Sequence, residues 1–459
     1  MEGKLHFIGI GGVGMSAIAK IMLGMGYDIS GSDLQRGRFT CLLEAMGATI
    51  YYGHAAENIP MDTQAVVYSS AVKTDNPEMI EAAARGIPIY KRAETLAFLM
   101  SNKCSIGVAG SHGKTTVSAM IAVMMDNLNM NPTFAIGGMI PQFCGNSQAG
   151  EGEYFVAEAD ESDGTFLMLF PKIAIITNIE SDHLEHYISL ENIVKSFEKY
   201  LEQLPENGLA IICADCSNTL ALSKRVDKHY ITYALHHDAD YTVTNICHNS
   251  YGVSADVWEK GQLLGRLVLN VPGEHNIANA LAAVALGRYL GKDFADCAKS
   301  LADFCGTGRR FELLGRVNNL QIVDDYAHHP TEIMATIKAA RDMGVKRIVT
   351  VFQPHRYSRT QCLYKEFALA LADADFVVIN EIYPAFEKPI PGISAQLIVD
   401  AARKNGHNMV VYAADQEQAL QILNQQVRDD DFVLIMGAGN IRSVGERFLE
   451  EKLRRSYSE

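Results

Sequence analysis

Gly110-Ser111-His112-Gly113-Lys114-Thr115-Thr116 follows an apolar run, Ile106–Ala109, and leads into a segment with Met120, Ile121, Val123 and Met124 at helical spacing. A strand that turns through glycines into a helix offers backbone N–H groups and a positive helix end to an anion. Lys114 adds a point charge, and the Thr115 hydroxyl can ligate Mg²⁺. The stretch is a phosphate cradle but not a full eight-position P-loop, because Val108 stands where the first glycine of that pattern belongs. The competing reading is an ordinary Gly-rich turn.

Downstream, Tyr154–Ala157 reads as a strand running into Glu158-Ala-Asp-Glu-Ser-Asp. Glu158 at the strand end suits Mg²⁺, which takes only one or two carboxylates; a solvated acidic loop is the alternative. Ile173–Thr177 ends at Asn178, with Asp182-His183 just beyond, and His183 suits a metal ligand or a residue that orients one. After Pro272-Gly273 a helix opens with His275 and Asn276 at its mouth and Asn279 one face along. Such amides can read an adenine edge or simply cap the helix. Arg309 and Arg310 suit phosphate charge.

A second glycine pattern, Gly9-Ile-Gly11-Gly12-Val-Gly14, also follows a strand and opens a helix, expected over Met15–Met25. Asp33 lies about twenty residues on, where a ribose-binding acid belongs. The pattern fits a nicotinamide dinucleotide, another diphosphate, or a purely structural turn. Ser32 adjoins that acid, and Gly53-His54 and Ser69-Ser70-Ala71 stand at further strand ends facing the same crevice. Towards the C-terminus, Asp324-Asp325-Tyr-Ala-His328-His329-Pro330 places two acids and two histidines at one crossover. His355, Arg356 and Arg359 follow another strand, and Arg forks suit a carboxylate or phosphate. Met436-Gly437-Ala-Gly439-Asn440 is a third Gly-rich turn after an apolar strand.

The elements that must hold these residues alternate between strand-like apolar runs and helical patterns, which predicts α/β architecture with parallel sheets. Strands are expected at Leu5–Ile10, Ala65–Tyr68, Ile106–Ala109, Tyr154–Ala157, Ile173–Thr177, Ile348–Val351, Phe376–Ile379 and Phe432–Met436. Between Tyr230 and Val271 the pattern alternates, which predicts a small antiparallel patch. A chain of 459 residues exceeds one core. Three domains are expected: a Rossmann-like 1–102, a central P-loop-type ATPase domain 103–313, and a Rossmann-like C-terminal 314–459. The net charge of −14 argues against nucleic acid as a partner, since a phosphate backbone needs a basic surface. Nine scattered cysteines suggest reduced thiols in a cytoplasmic setting, the Cys213-Ala-Asp-Cys216 pair included. The first strand starts too early for a signal peptide, and no apolar stretch is long enough for membrane insertion.

One nucleotide-type turn in the first domain and a separate Lys-Thr cradle in the second make two nucleotide sites. A dehydrogenase using a nicotinamide cofactor has no need of the cradle, and a plain ATPase has no need of the first turn. The economical reading is ATP in the middle, a nucleotide-tagged substrate in the first domain, and a carboxylate-bearing substrate near the last arginines. In this order, G-S-H-G-K-T-T, EADESD with TNIESDH, PGEHN, GTGRRFE, DDYAHHPTE, FQPHRYSRT and MGAGNI resemble the Mur ligase family over essentially the whole chain.

The resemblance implies the reaction ATP + UDP-N-acetylmuramate + L-alanine → ADP + phosphate + UDP-N-acetylmuramoyl-L-alanine, in peptidoglycan and cell wall synthesis. It implies ATP with Mg²⁺, Mn²⁺ substituting, and a monomer or weak homodimer. Gly110, His112, Gly113, Lys114, Thr115 and Thr116 would hold the β- and γ-phosphates. Thr115, Glu158 and His183 would ligate the metal, while His275, Asn276 and Asn279 would lie by the adenine. Arg310 and Asp325 would meet phosphate and ribose. Gly9, Gly11, Gly12, Gly14, Ser32, Asp33, His54, Ser69 and Ser70 would bind the UDP end. His328, His329, His355, Arg356 and Arg359 would place the muramate carboxylate and alanine, and a histidine among 328, 329 and 355 would take the amine proton. Lys114, His183, Arg310, His328, His329 and Arg356 form the implied catalytic set. Ala327 stands where the family often has Gly, Phe386 interrupts a usual small-residue stretch, and no lysine is assigned as a carbamylated metal bridge. The rival readings are a ligase joining a tripeptide to the same UDP-sugar acid, an NAD-dependent dehydrogenase, and a nucleotide sensor without chemistry.

Overall fold

The computed structural model describes residues 3–69 and 71–456. The chain separates into two compact units. The first comprises Met1–Thr244, Asp256–Leu267 and Ala278–Phe304; the second comprises Asn245–Ala255, Val268–Ile277 and Cys305–Glu459.

The first unit begins with β1 (Lys4–Ile8), β2 (Asp28–Asp33), β3 (Thr49–Tyr52), β4 (Thr63–Tyr68) and β5 (Ile89–Lys91), ordered β3-β2-β1-β4-β5. Every pairing is parallel, so all five strands end at one edge and their exits line a single crevice. Strand β1 stops two residues before the expected Ile10, because Gly9 at φ +78° already starts the turn. The helix then begins at Val13 rather than Met15.

A second sheet contains β6 (Cys104–Ala109), β7 (Thr133–Ile140), β8 (Gly145–Gln148), β9 (Tyr154–Glu158), β10 (Ile173–Ile176), β11 (Leu209–Cys213), β12 (His229–Tyr233), β13 (Tyr241–His248), β14 (Val253–Glu259) and β15 (Gln262–Leu269). Its order is β15-β14-β13-β12-β11-β10-β6-β9-β7-β8. The strands from β7 and β9 through β12 pair in parallel, and β10 is buried at all four residues, as a strand covered on both faces must be. The expected alternating patch is β13 to β15. Lys260 and Gly261 join its last two strands with φ +49° and +81°, the geometry of a two-residue hairpin turn. Helix Val13–Gly24 ties the first sheet to the second: Asn146 of β8 donates to its Val13 carbonyl at 3.0 Å, and one apolar cluster runs from Leu5 to Val226.

The second unit carries β16 (Glu312–Val317), β17 (Leu320–Asp325), β18 (Ile348–Phe352), β19 (Phe376–Asn380), β20 (Val410–Ala413) and β21 (Phe432–Met436), ordered β16-β17-β21-β18-β19-β20. Only β16 runs antiparallel. Side chains alternate across this sheet. Phe432, Leu434 and Met436 join one apolar layer, and Val433 and Ile435 the other. The eight strands expected from sequence are all present, Phe432–Met436 with the same bounds and the others with one or both ends displaced by one or two residues. Among the described residues no helix is long and apolar enough to cross a membrane, and all nine cysteines are free thiols.

Candidate active site

The Lys-Thr cradle joins β6 to helix Lys114–Asn127. That helix starts from Gly113 in a left-handed conformation and has no side-chain cap. Its first-turn N–H groups are therefore left for an external acceptor. Gly110 at φ +137° packs so closely that a Cβ there would collide with Thr177 Oγ1. The exit of β10 clamps the cradle from the side. Asn178 accepts from the Ser111 N–H through its carbonyl (2.9 Å) and from the His112 N–H through Oδ1 (2.8 Å). Its Nδ2 and Thr177 Oγ1 donate to the His112 carbonyl at 3.1 and 2.5 Å. His112 Nε2 lies 3.3 Å from Glu180 Oε2, and the Glu180 N–H donates to Ser111 Oγ at 2.9 Å.

Lys114 is almost enclosed. Its Nζ donates to the Gly110 carbonyl at 2.6 Å and lies 3.0 and 2.9 Å from the two oxygens of Glu161. Burial works against its charge, but Glu161, Asp160 and Glu158 outweigh that and hold its pKa above the ordinary lysine value. Glu161 is 2% exposed, and burial pushes its carboxyl up despite the lysine. Thr115 Oγ1 donates to Glu158 Oε1 at 2.9 Å, and the other oxygen of Glu158 accepts from the Gly137 N–H at 2.7 Å. His183 stands at φ +52°, its N–H on Asp182 Oδ1 at 2.8 Å and its Nε2 3.6 Å from Asp182 Oδ2. Asn279, nine-tenths buried, lies beside Gly113: a Cβ on that glycine would come within 2.8 Å of Asn279 Oδ1.

The first glycine turn is built the same way. Helix Val13–Gly24 starts at Gly12 without a side-chain cap. Asp33, expected at a ribose, accepts from the Gly11 N–H at 2.8 Å through Oδ2 and so also holds the turn. Ser32 and His54 share a 3.1 Å contact, and the Ser69 N–H donates to the Ile8 carbonyl. Ser70 lies outside the described residues. Arg92, which sequence reasoning did not single out, reaches this turn: a methyl group at Gly14 would lie 3.1 Å from its Cδ. Arg92 also lines a small cleft with Glu158 and Asp160, and its guanidinium makes no ion pair among the described residues.

In the second unit the exits of β17, β18, β19 and β21 gather at one edge. Arg309, which the sequence suits to phosphate, has protein partners in this structure. It donates to Asp324 at 3.2 Å and to the Gly437 and Gly439 carbonyls at 2.7 and 3.3 Å, welding the third glycine turn in place. Arg310 lies over Tyr326 and donates to Glu332 at 3.4 Å. Asp325 accepts from the N–H groups of Phe311 and Ala327, and burial pushes its carboxyl up to about 6 against the pull of Arg310. Glu332, also missed, accepts from the N–H groups of His328 (3.0 Å) and His329 (3.3 Å) and caps helix Pro330–Asp342. The rings of His328 and His355 are 6.0 Å apart, and His355 stacks on Tyr383 at 5.6 Å. Arg356, at φ +73°, donates its N–H to the Tyr383 carbonyl and starts the helix Tyr357–Ala370 that carries Arg359. His275 is exposed at the mouth of helix Glu274–Tyr289, whereas Asn276 is buried and donates its amide to the Pro272 carbonyl at 2.7 Å.

Three family models match the chain: the Mur ligase middle domain at residues 108–287, the Mur ligase family catalytic domain at 4–104, and the Mur ligase glutamate ligase domain at 309–439. A UDP-N-acetylmuramate–L-alanine ligase of Pelotomaculum thermopropionicum is 50% identical over 442 residues, 96% of each chain. Another, of Geotalea daltonii, is 45% identical over 98% of each. Among solved structures, the UDP-N-acetylmuramate-alanine ligase MurC of Thermotoga maritima is similar at 32% identity and TM-score 0.84, covering 98% of this chain and 99% of that one. A murein peptide ligase of Psychrobacter arcticus, at 23% identity and TM-score 0.71, shares the fold.

Proposed function

The chain belongs to the Mur ligase family, and on that premise we propose that it joins L-alanine to the carboxylate of UDP-N-acetylmuramate at the expense of ATP. The observation that carries this reading is the pair of uncapped helix starts, at Gly12 and at Gly113, within one unit. Each suits phosphate, so one chain has a place for a triphosphate and a separate place for a diphosphate sugar. The high identity to alanine-adding relatives favours alanine over a tripeptide as the second substrate.

A muramate carboxylate oxygen attacks the γ-phosphorus of ATP, the bond to the β-bridging oxygen breaks, and ADP leaves. The alanine amine then attacks the acyl carbon of the resulting acyl phosphate, the carbon–oxygen bond breaks, and phosphate departs. Lys114 and the N–H groups of Gly113 to Thr116 neutralise charge on the phosphoryl group as it moves, which is catalysis by fixed electrostatics. For that, Lys114 must exchange part of its pairing with Glu161 for the γ-phosphate. Thr115 Oγ1 and Glu158 offer hard oxygen donors side by side, which fits Mg²⁺ or Mn²⁺, with His183 as the proposed third ligand. Bound there, the ion would supply further charge neutralisation to the transferring group. His275, Asn276 and Asn279 are assigned to adenine, and Arg310 and Asp325 to phosphate and ribose. Arg356 and Arg359 receive carboxylate, and His328, His329 or His355 takes the amine proton.

The proposed setting is the cytoplasm, where ATP and free thiols coexist, and the proposed state is a monomer or weak homodimer. Phosphate release is the test. It should require ATP, UDP-N-acetylmuramate and L-alanine together; release without alanine, or with a tripeptide in its place only, would refute the assignment.

A further inference from the structure

A buried carboxylate beneath the first glycine turn takes no part in the steps above. Glu78, in the first turn of helix Pro77–Ala84, has no exposed surface, yet five donors converge on it. Its Oε2 accepts from Ser32 Oγ at 2.6 Å and from His6 Nε2 at 3.0 Å. Its Oε1 accepts from Asn58 Nδ2 at 2.8 Å, the Ala55 N–H at 3.2 Å and His54 Nδ1 at 3.3 Å. Burial alone would raise its pKa, but the hydrogen bonds from His6, Ser32 and Asn58 outweigh burial and bring it down to about 2. The pocket is built for the anion.

The protons around it can be assigned. Ser32 has one hydroxyl proton, and the 2.6 Å contact directs it to Glu78. In its 3.1 Å contact with His54 Nδ1, Ser32 is therefore the acceptor. Both neighbours of Nδ1 are acceptors, so Nδ1 carries a proton, and in neutral imidazole Nε2 is then a bare acceptor. Nε2 makes no hydrogen bond among the described residues, and the His54 side chain is 19% exposed. The backbone of Ser32 joins this network to the glycine turn: its carbonyl accepts from the N–H groups of Gly9 (2.8 Å) and Ile10 (3.0 Å).

We infer that Glu78 is a positioning residue for the nucleotide at the first glycine turn: with Ser32 it locks His54 with its proton on Nδ1, so that Nε2 accepts from an N–H or O–H of the nucleoside. The inference rests on reading that turn as the UDP-sugar site. The imide N–H of a uracil and the ribose hydroxyls are the donors concerned. Ionised phosphates offer none, so the contact reads the nucleoside end.

Nitrogen NMR of histidine-labelled full-length protein, with the His54 signals assigned through His54→Asn, tests the tautomer at about pH 8.5, two units above the ordinary imidazole value. The expected result is a pyrrole-type Nδ1 and a pyridine-type Nε2 whose shift moves on adding UDP. A pyrrole-type Nε2 overturns the inference, whether or not the protein is a ligase. Glu78→Gln presents an amide that can donate to Nδ1, and the KM for UDP-N-acetylmuramate should then rise about tenfold. Its kcat should fall by less than about threefold. Ser32→Ala keeps the carboxylate and should raise the same KM about threefold. An unchanged KM in both variants, or a loss confined to kcat, overturns the inference. Calorimetry with UDP, its 2′-deoxy analogue and its N3-methyl analogue separates ribose from base, and equal affinity for all three overturns it too.

Discussion

Removing Lys114 should cost the fold and the chemistry different amounts, and the pairing with Glu161 sets the first. In Lys114→Met, Glu161 keeps its burial and loses a cation about 3 Å from both its oxygens. Leaving one member of a buried ion pair uncompensated costs about 3–5 kcal/mol. With a urea dependence of about 3 kcal/mol per molar, the unfolding midpoint should fall by about 1–1.7 M. The double variant Lys114→Met/Glu161→Gln removes the orphaned charge and should return to within about 1 kcal/mol of the parent, leaving a coupling of about 2–4 kcal/mol. The single-variant penalty should also depend on pH. Burial holds the Glu161 pKa above its unfolded value, so the folded form binds the proton more readily. The penalty is then full above the folded pKa and relieved as pH falls through it towards about 4.3. Phosphate release should stay lower by about a thousandfold or more in the single and the double variant, because the lysine itself acts on the moving phosphoryl group. Urea unfolding followed by circular dichroism, beside steady-state turnover, separates the two effects. A midpoint unchanged by Lys114→Met would refute the buried pair, and turnover near the parent's would refute the phosphate assignment.

Three further outcomes follow from the same geometry. Thr115→Val should lower kcat about a hundredfold and raise the Mg²⁺ concentration needed for half-maximal rate; an unaltered Mg²⁺ dependence in turnover assays would remove Thr115 from the metal site. Glu78, with its pKa depressed to about 2, should contribute about 3 kcal/mol of stability above pH about 4.5, lost as pH falls towards 2. Glu78→Gln should therefore flatten that acid limb in urea titrations, and an unchanged slope would contradict the anionic pocket. Arg92→Ala should raise the KM for UDP-N-acetylmuramate about tenfold with the ATP constant little moved, because the guanidinium beside Gly14 has no protein counter-ion among the described residues; equal constants would assign Arg92 to packing.

The strands were legible because parallel strands covered on both faces must be apolar runs, and Ile173–Ile176 or Phe432–Met436 are little else. The glycine turns were legible because chain order alone places them between strand and helix. Their clamps were not. Glu161 lies 47 residues from Lys114, and Glu78 lies 46 from Ser32 and 72 from His6, so neither acid has a local signature. The distance of Asp33 from the turn fits a ribose ligand, and the same distance lets it hold the Gly11 N–H, a second role that spacing does not reveal. Arg309 and Arg310 were indistinguishable as neighbours. Only the left-handed backbone at Arg309 turns its guanidinium onto the Gly437 and Gly439 carbonyls and leaves Arg310 with Glu332. Ala327 is fully buried and does not need a left-handed conformation, so a methyl group is accommodated where the family often has glycine. Phe386 is fully exposed at φ +69°, and no contact among the described residues explains it.

Calorimetric titration of one protein sample with a non-hydrolysable ATP analogue and UDP-N-acetylmuramate, each before and after saturation with the other, asks most directly whether the two glycine turns are separate sites. Simultaneous binding at one equivalent each is predicted, with Lys114→Met abolishing the first and sparing the second. Mutual displacement, or loss of the UDP sugar in that variant, would contradict it.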